Sequence, residues 1–359
     1  ICRKLDNETV CSTYTLNAPT DLYVDDDWAS VAAGDDPDGA GPASAMGYDA
    51  FATIQGAINA AVDTAKIHVL AGTYPENLII NKALTIQSIN WVGKIVGDIG
   101  IRASNVTLQG LDISSPDWNG INLSNDQLTP HLSLSHISIL NNKIHDMGGA
   151  FGGNTKAIKA AWGPDYVTIE GNQFYNITNI GLGRHVDAIS IGDSASTDPS
   201  ENVVIRNNTF ANIVGQGDGK GVNAISINNK AGVTALIEGN TFEVDTIRNT
   251  HANGYARVIG FGNPVPNTEI RNNTFNVTNP ANISPTLAVV FFEPYTSSSA
   301  STVITEKNKF LSEGYVFINA SGHTANASKN WWGNWYGPTA SRVMRVEPEI
   351  VTFVLRSRP

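Results

Sequence analysis

Arg184, His185 and Asp187 stand close together in this chain, and Asp218 with Lys220, then Arg248, His251 and Arg257, follow at intervals of about one repeat. An imidazole and two carboxylates can move protons, and guanidinium and ammonium groups can hold an anion or stabilise one as it forms. Cleavage of a glycosidic bond wants two carboxyls at a defined separation. Asp187 and Asp218 occupy comparable places in successive intervals and could approach, although Asp187 aligns with Asn223 and not with Asp218. The catalytic candidates are therefore Asp187, Asp218, His185 and Arg184, and Lys220, Arg248, His251 and Arg257 read as a binding rim. Solvated turn residues are the plainer reading of the same eight side chains, and the sequence favours it.

What must position these residues is a repeat. Asparagine followed two residues later by a large apolar side chain recurs at Asn142-Lys143-Ile144, Asn172-Gln173-Phe174, Asn208-Thr209-Phe210, Asn240-Thr241-Phe242, Asn273-Thr274-Phe275, Asn308-Lys309-Phe310 and Asn330-Trp331-Trp332. A near-fixed period of this length marks a solenoid in which each repeat is one coil. Short alternating runs precede the asparagines, such as Val167-Thr168-Ile169-Glu170 and Ala235-Leu236-Ile237-Glu238. A second strand set lies between them, including Ala188-Ile189-Ser190-Ile191 and Ala224-Ile225-Ser226-Ile227. Period two means strand, and no amphipathic helix separates the strands. The expected fold is all-β: a single-stranded right-handed parallel β-helix of about nine coils, stacked about 4.8 Å apart, with an N-terminal capping helix.

Stacking makes equal offsets neighbours. The residues two before each asparagine are Glu170, Arg206, Glu238, Arg271 and Glu306, an alternating charge ladder. The residues one before are Gly171, Asn207, Gly239, Asn272 and Lys307, a column suited to positive φ. The asparagines should form an internal amide ladder and the phenylalanines a core stack.

Composition sets bounds. The 359 residues are 41% apolar and 16% charged, with net charge −10. No basic run occurs, which argues against nucleic acid and anionic membranes as partners. No stretch of 18 apolar residues exists, so no spanning helix is expected. The chain opens on isoleucine, which reads as a processed or trimmed chain. Cys2 and Cys11 read as a disulfide clipping the N-terminal segment. Asn-X-Ser/Thr acceptors stand at Asn7, Asn105, Asn122, Asn176, Asn207, Asn272, Asn276, Asn282, Asn319 and Asn326. Both signals point to an extracellular or cell-surface location.

From end to end the chain divides into a leader with an Asp-rich loop (1–49), a capping helix (50–66) N-capped by Asp49, the β-helix (67–333) and a tail (334–359). Clustered carboxylates at Asp25, Asp27, Asp36 and Asp38 would suit calcium, but they lack a recognisable ligand spacing and read as a solvated loop. No other metal or cofactor is expected. The final apolar run Ile350-Val351-Thr352-Phe353-Val354-Leu355 could cover the last coil or pair with a neighbouring molecule.

Two segments carry a resemblance. The first comprises Tyr23-Val24-Asp25-Asp26-Asp27, Tyr48-Asp49-Ala50-Phe51-Ala52-Thr53-Ile54-Gln55 and His68-Val69-Leu70-Ala71-Gly72-Thr73-Tyr74-Pro75-Glu76-Asn77. The second is Asn330-Trp331-Trp332-Gly333 followed by Gly337-Pro338-Thr339. Across residues 22–340 the chain resembles secreted right-handed β-helix proteins of the pectate-lyase-like superfamily, of the kind found on microbial cell surfaces. The resemblance implies that fold and leaves activity open, because the superfamily holds pectate lyases, polygalacturonases, fructotransferases and epimerases beside non-enzymatic surface and adhesive proteins. The polygalacturonase pattern implies Asn-Thr-Asp, Asp-Asp, Gly-His-Gly and Arg-Ile-Lys; here stand only His185-Val186-Asp187 and a lone Asp218. Pectate-lyase chemistry implies a calcium-binding acid cluster on one strand face, which here reads Ala157/Lys159, Ala188/Ser190, Ala224/Ser226 and Val258/Gly260. Trp162 and Tyr295 are candidate sugar-stacking platforms. The expected role is a non-catalytic surface, matrix or filament subunit that self-associates and touches polysaccharide. The alternative is a polysaccharide lyase, glycoside hydrolase or glycosyl transferase using the 184–257 rim.

Overall fold

The computed structural model describes residues 17–310 except 117–118, 124–133, 149–152, 193–197, 229–230, 263–267, 280, 282–286 and 293–302; beyond these it describes Asn330 and short strands within 2–11, 317–319, 325–326 and 351–352. β-Branched side chains alternate with polar ones, which suits a pleated, half-buried strand. The strands assemble into three long sheets of nine, thirteen and ten members, in each of which every strand pairs in parallel with its equivalent one coil away. The chain is a single-stranded right-handed parallel β-helix. Register follows the repeat: Val186, Ile189 and Ile191 pair with Val222, Ile225 and Ile227. The core is a set of such columns, almost all fully buried isoleucine, valine, leucine and phenylalanine.

The asparagine column is the internal ladder that the period predicts. From Asn142 to Asn330 each carboxamide Nδ2 donates to the Oδ1 of the next asparagine at 2.9–3.1 Å. The same Oδ1 atoms also accept the backbone N–H of the preceding asparagine at 2.9–3.0 Å. The second Nδ2 hydrogen goes to a strand carbonyl, that of Ile169 for Asn208 and of Ile205 for Asn240. Every amide atom is paired, so burial costs little. Beside the ladder Phe174, Phe210, Phe242, Phe275 and Phe310 stack with centroids 4.8–5.0 Å apart.

The turn column before the ladder is left-handed throughout, with φ of 69° at Gly171, 56° at Asn207, 66° at Gly239 and 56° at Asn272. Its alternation of glycine and asparagine has a packing cause. A Cβ on Gly171 would lie 2.2 Å from Asn141 Oδ1, and one on Gly239 would lie 2.5 Å from Asn207 Oδ1. Each asparagine side chain thus occupies the space its glycine neighbour leaves. The outer charge column pairs as expected, Arg206 Nη2 with Glu170 Oε2 at 2.8 Å and Arg271 Nε with Glu238 Oε1 at 3.0 Å. These pairs are partly exposed and contribute about 0.2–1 kcal/mol each.

The helix at the N-terminal end is shorter than the 50–66 span and differently capped. It runs Ile54–Ala60, preceded by the strand Ala50–Phe51, and Thr53 is its N-cap. Asp49 is used elsewhere: its carboxylate accepts from the Ser44 N–H and hydroxyl and the Ala45 N–H, closing the preceding loop. Burial raises the Asp49 pKa, but those bonds outweigh it and hold the group below the usual carboxylate value. The helix is clamped by the first coil. Glu76 accepts from the N–H groups of Ile54 and Gln55, and the Lys82 ammonium donates to the carbonyls of Ile58, Asn59 and Ala61. Anion at the N-terminus and cation at the C-terminus match the helix dipole. Buried Ile54, Ala57 and Ile58 cover the end of the core. In the leader, Cys2–Leu5 and Glu8–Cys11 pair antiparallel with Cys2 opposite Cys11; their side chains lie outside the described residues, as does that of Asn7.

Candidate functional site

The nine-stranded sheet presents four strands side by side on its outer face: Thr155–Ala160, Val186–Ile191, Gly221–Ile227 and Tyr255–Phe261. Register places Lys156, Asp187, Asn223 and Arg257 in one row across them. A second row reads Lys159, Ser190, Ser226 and Gly260. The two rows, Lys159 excepted, floor a trough of about 310 Å³ whose lining also includes Asn154, His185 and Tyr255. Small residues in the second row keep the trough open. Gly260 is needed there, since a Cβ would lie 2.9 Å from Asn223 Oδ1.

The loops that lead into these strands stack from coil to coil. Asn179 and Asn249 each fold their loop onto themselves, accepting from the N–H of Gly181 and of His251 at 2.7 and 2.9 Å. Asn249 also donates to the carbonyls of Gly217 and Lys220, which ties one loop to the next. Two turns that differ in sequence are thereby held by the same device.

Inside the trough the polar groups are organised. Asp187 is nearly buried and accepts from Asn223 Nδ2 at 2.7 Å. Asn223 is buried to a similar degree, and its Oδ1 has no hydrogen-bond partner. The Lys156 ammonium donates to Ser190 Oγ at 3.0 Å. The Arg257 guanidinium lies 4.1 Å over the Tyr255 ring, a cation–π contact that fixes its plane. His185 Nδ1 accepts the Gly221 N–H at 3.0 Å. Burial lowers the His185 pKa; the Lys220, Lys156 and Arg257 charges add to this, while Asp187 opposes it. On a protein of net charge −10 this is a locally cationic strip.

Of the eight side chains singled out in the sequence, His185, Asp187 and Arg257 line the trough, and Lys220 adds its charge to the field there. The others do not assemble with them. Asp218 sits on an exposed loop tip, bonded by Asn253 Nδ2 at 3.0 Å and 3.5 Å from His251 Nδ1. Arg184 lies in the loop between the strands Gln173–Asn179 and Val186–Ile191 and does not line the trough. Arg248 lies on the strand Ile247–Asn249, which pairs into the ten-stranded sheet, so it projects from another face. Among the described residues the trough therefore contains one carboxylate, and the Asp187–Asp218 pair is not formed. Lys156 and Tyr255 escaped the sequence reading; the signal for Lys156 was its register with Asp187 one coil away, and Tyr255 had none beyond its place two residues before Arg257.

The remaining candidates are placed as follows. Asp25 caps the short 3-10 turn Asp26–Ser30, Asp36 accepts the N–H of Asp38 and of Gly39, and Asp38 accepts that of Ala43. The carboxylates of Asp25, Asp26 and Asp27 lie within 4.8 Å of one another, and burial followed by the Asp27 and Asp26 charges raises the Asp25 pKa. The acceptors Asn105, Asn207 and Asn272 are exposed at left-handed turns. Asn122 is half-buried, while Asn176 and Asn276 donate to Asp146 and Glu243. The Asn319 and Asn326 side chains, Asn282, Tyr295 and the terminal apolar run fall outside the described side chains. Trp162 stands at a left-handed turn and does not line the trough. No helix among the described residues is long and apolar enough to cross a membrane.

No family model and no curated protein matches the chain. Among solved structures, the crystal structure of a pectin methylesterase from Aspergillus niger is similar over 94% of both chains, at 12% identity and a TM-score of 0.39. At that level nothing about site or activity carries over. By its own three parallel sheets and coil-to-coil register, the chain is a right-handed parallel β-helix.

Proposed function

We propose that the protein is an extracellular, non-catalytic β-helix scaffold, a surface or matrix subunit that holds an acidic polysaccharide against the trough. One observation carries this reading: Lys156, Arg257 and Lys220 surround a trough whose single described carboxylate, Asp187, is already bonded by Asn223. Cations positioned over small-residue strands attract and orient an anionic chain. The second carboxyl that glycoside hydrolysis requires is absent among the described residues lining the trough. Self-association through the terminal strands, extracellular location, a Cys2–Cys11 disulfide and occupied glycan acceptors belong to the same proposal. Ordered polymers of the purified protein under the electron microscope would support the subunit role.

The alternative is a carbohydrate-active enzyme using Asp187, whose burial in the trough favours it. The test is affinity electrophoresis through gels containing acidic or neutral polysaccharides, with product assays on the same samples. Retardation by the acidic gels alone, with no new reducing ends, unsaturated products or released ester acid, is the expected result. Product formation that Asp187→Asn abolishes would replace the scaffold reading with the enzymatic one.

A further inference from the structure

The strand geometry around His185 determines more than its presence in the trough. A backbone N–H can only donate, so the Gly221 N–H at 3.0 Å requires an unprotonated lone pair on His185 Nδ1. A neutral imidazole carries one hydrogen, which must then sit on Nε2. The backbone that carries the ring is held in place. Its own N–H donates to Asn154 Oδ1 at 2.9 Å, and its carbonyl accepts the Thr155 N–H at 3.0 Å. The Tyr255 ring meets the imidazole edge-on, with centroids 6.4 Å apart.

We propose that His185 is fixed as the Nε2–H tautomer and serves the trough as a permanent hydrogen-bond donor that reads an oxygen acceptor on the bound chain, not as a titrating acid or base. The inference rests on the glycan-holding reading above and names what one point of the trough recognises. A carboxylate, sulfate or carbonyl oxygen fits this donor, and a hydroxyl fits only through its lone pairs. Asp187, two residues on in the chain, is an acceptor, so the two neighbours read opposite partners.

The surrounding charges keep the group neutral. Asp187 acts on it from the strand that follows it, Lys156 from the strand below, and Lys220 and Arg257 from the coils above. Protonation would break the Gly221 bond and add a cation beside the Lys156, Lys220 and Arg257 charges. The folded pKa lies below the ordinary 6.5, so the stabilisation His185 brings is complete above about that pH and is lost as pH falls through the lower folded value.

Nitrogen-detected NMR of the intact protein tests the tautomer without any ligand. The expected spectrum has a pyridine-type Nδ1 and a pyrrole-type Nε2 from pH 8 down past 6.5. An imidazolium at pH 7, or the hydrogen on Nδ1, would overturn the inference. Binding to an acidic polysaccharide, such as polyuronate or a sulfated glycan, tests the donor role. Affinity should show no histidine step between pH 8 and 6.5 at constant salt. His185→Asn supplies an acceptor where Nδ1 sits and no donor where Nε2 sits; it should keep the melting temperature and weaken binding about tenfold. His185→Gln should keep most of the affinity and lose thermal stability. Equal affinity in wild type and His185→Asn would remove the donor role. Absence of binding to every polysaccharide, with the tautomer as expected, would instead sink the scaffold reading and the donor role with it.

Discussion

Asn208→Ala is expected to destabilise the protein by about 4 kcal/mol. Asn208 Oδ1 accepts both the backbone N–H and the Nδ2 of Asn172, and its own Nδ2 donates to Ile169 O and Asn240 Oδ1. Alanine removes all four bonds and leaves the Asn172 donors and the Ile169 carbonyl without partners inside a closed core. Each buried orphan costs about 1–3 kcal/mol, with the lost side-chain volume added. In a solenoid the damage stays near the altered coil and its neighbours. Native-state hydrogen exchange should therefore show the amides of Asn172 and the adjoining strands opening far more readily, alongside a lower denaturation midpoint. Asn212→Ala is the control: it is exposed and bonds only across the outer face, through Nδ2 to Asn176 Oδ1 and through its N–H to Thr246. It should cost about 1–2 kcal/mol, from one exposed bond and a φ of 50° that asparagine tolerates better than alanine. Equal losses in the two variants would mean that the ladder is a geometric coincidence of the repeat and not a structural element.

Reversing both trough cations, Lys156→Glu with Arg257→Glu, should abolish binding of an acidic oligosaccharide. Each side chain faces the trough from the outer side of the sheet, so the apolar columns behind it are untouched. Losing two attractive charges and gaining two repulsive ones should weaken binding at least about 100-fold, or ~2.7 kcal/mol. The same reversal at Arg248 should change affinity little, because that residue projects from the ten-stranded sheet. Calorimetric titration at two salt concentrations checks both, and wild-type affinity should fall as salt rises. An unchanged affinity in the double variant would show that the chain binds elsewhere.

The contrast between these two predictions reflects what a repeat reveals. Asn208, Phe210 and Asn207 were legible because each recurs at a fixed offset, and stacking turns offset into contact. The trough was legible in part. His185, Asp187 and Arg257 were grouped by their proximity to the second strand set, and register did bring them together. Asp218 and His251 were grouped with them for the same reason, but loop tips turn outward where strand residues do not. Arg248 was misplaced because the 3-10 turn Val244–Thr246 interrupts its strand and makes the segment read as loop. Asn223 was noted only as a failed carboxylate, although its amide is what holds Asp187. The helix start could not be read locally at all. Asp49 and Thr53 both precede apolar periodicity, and the choice between them is made by Ser44 on one side and by Glu76, from a later coil, on the other.

The most direct test is a hydrogen-exchange footprint of an acidic oligosaccharide on the wild-type protein. Protection is expected on the strands Thr155–Ala160, Val186–Ile191, Gly221–Ile227 and Tyr255–Phe261 and on Asn154 and His185 beside them, with the sugar recovered intact. Protection confined to another sheet, or a shortened or chemically altered sugar after incubation, would contradict the account.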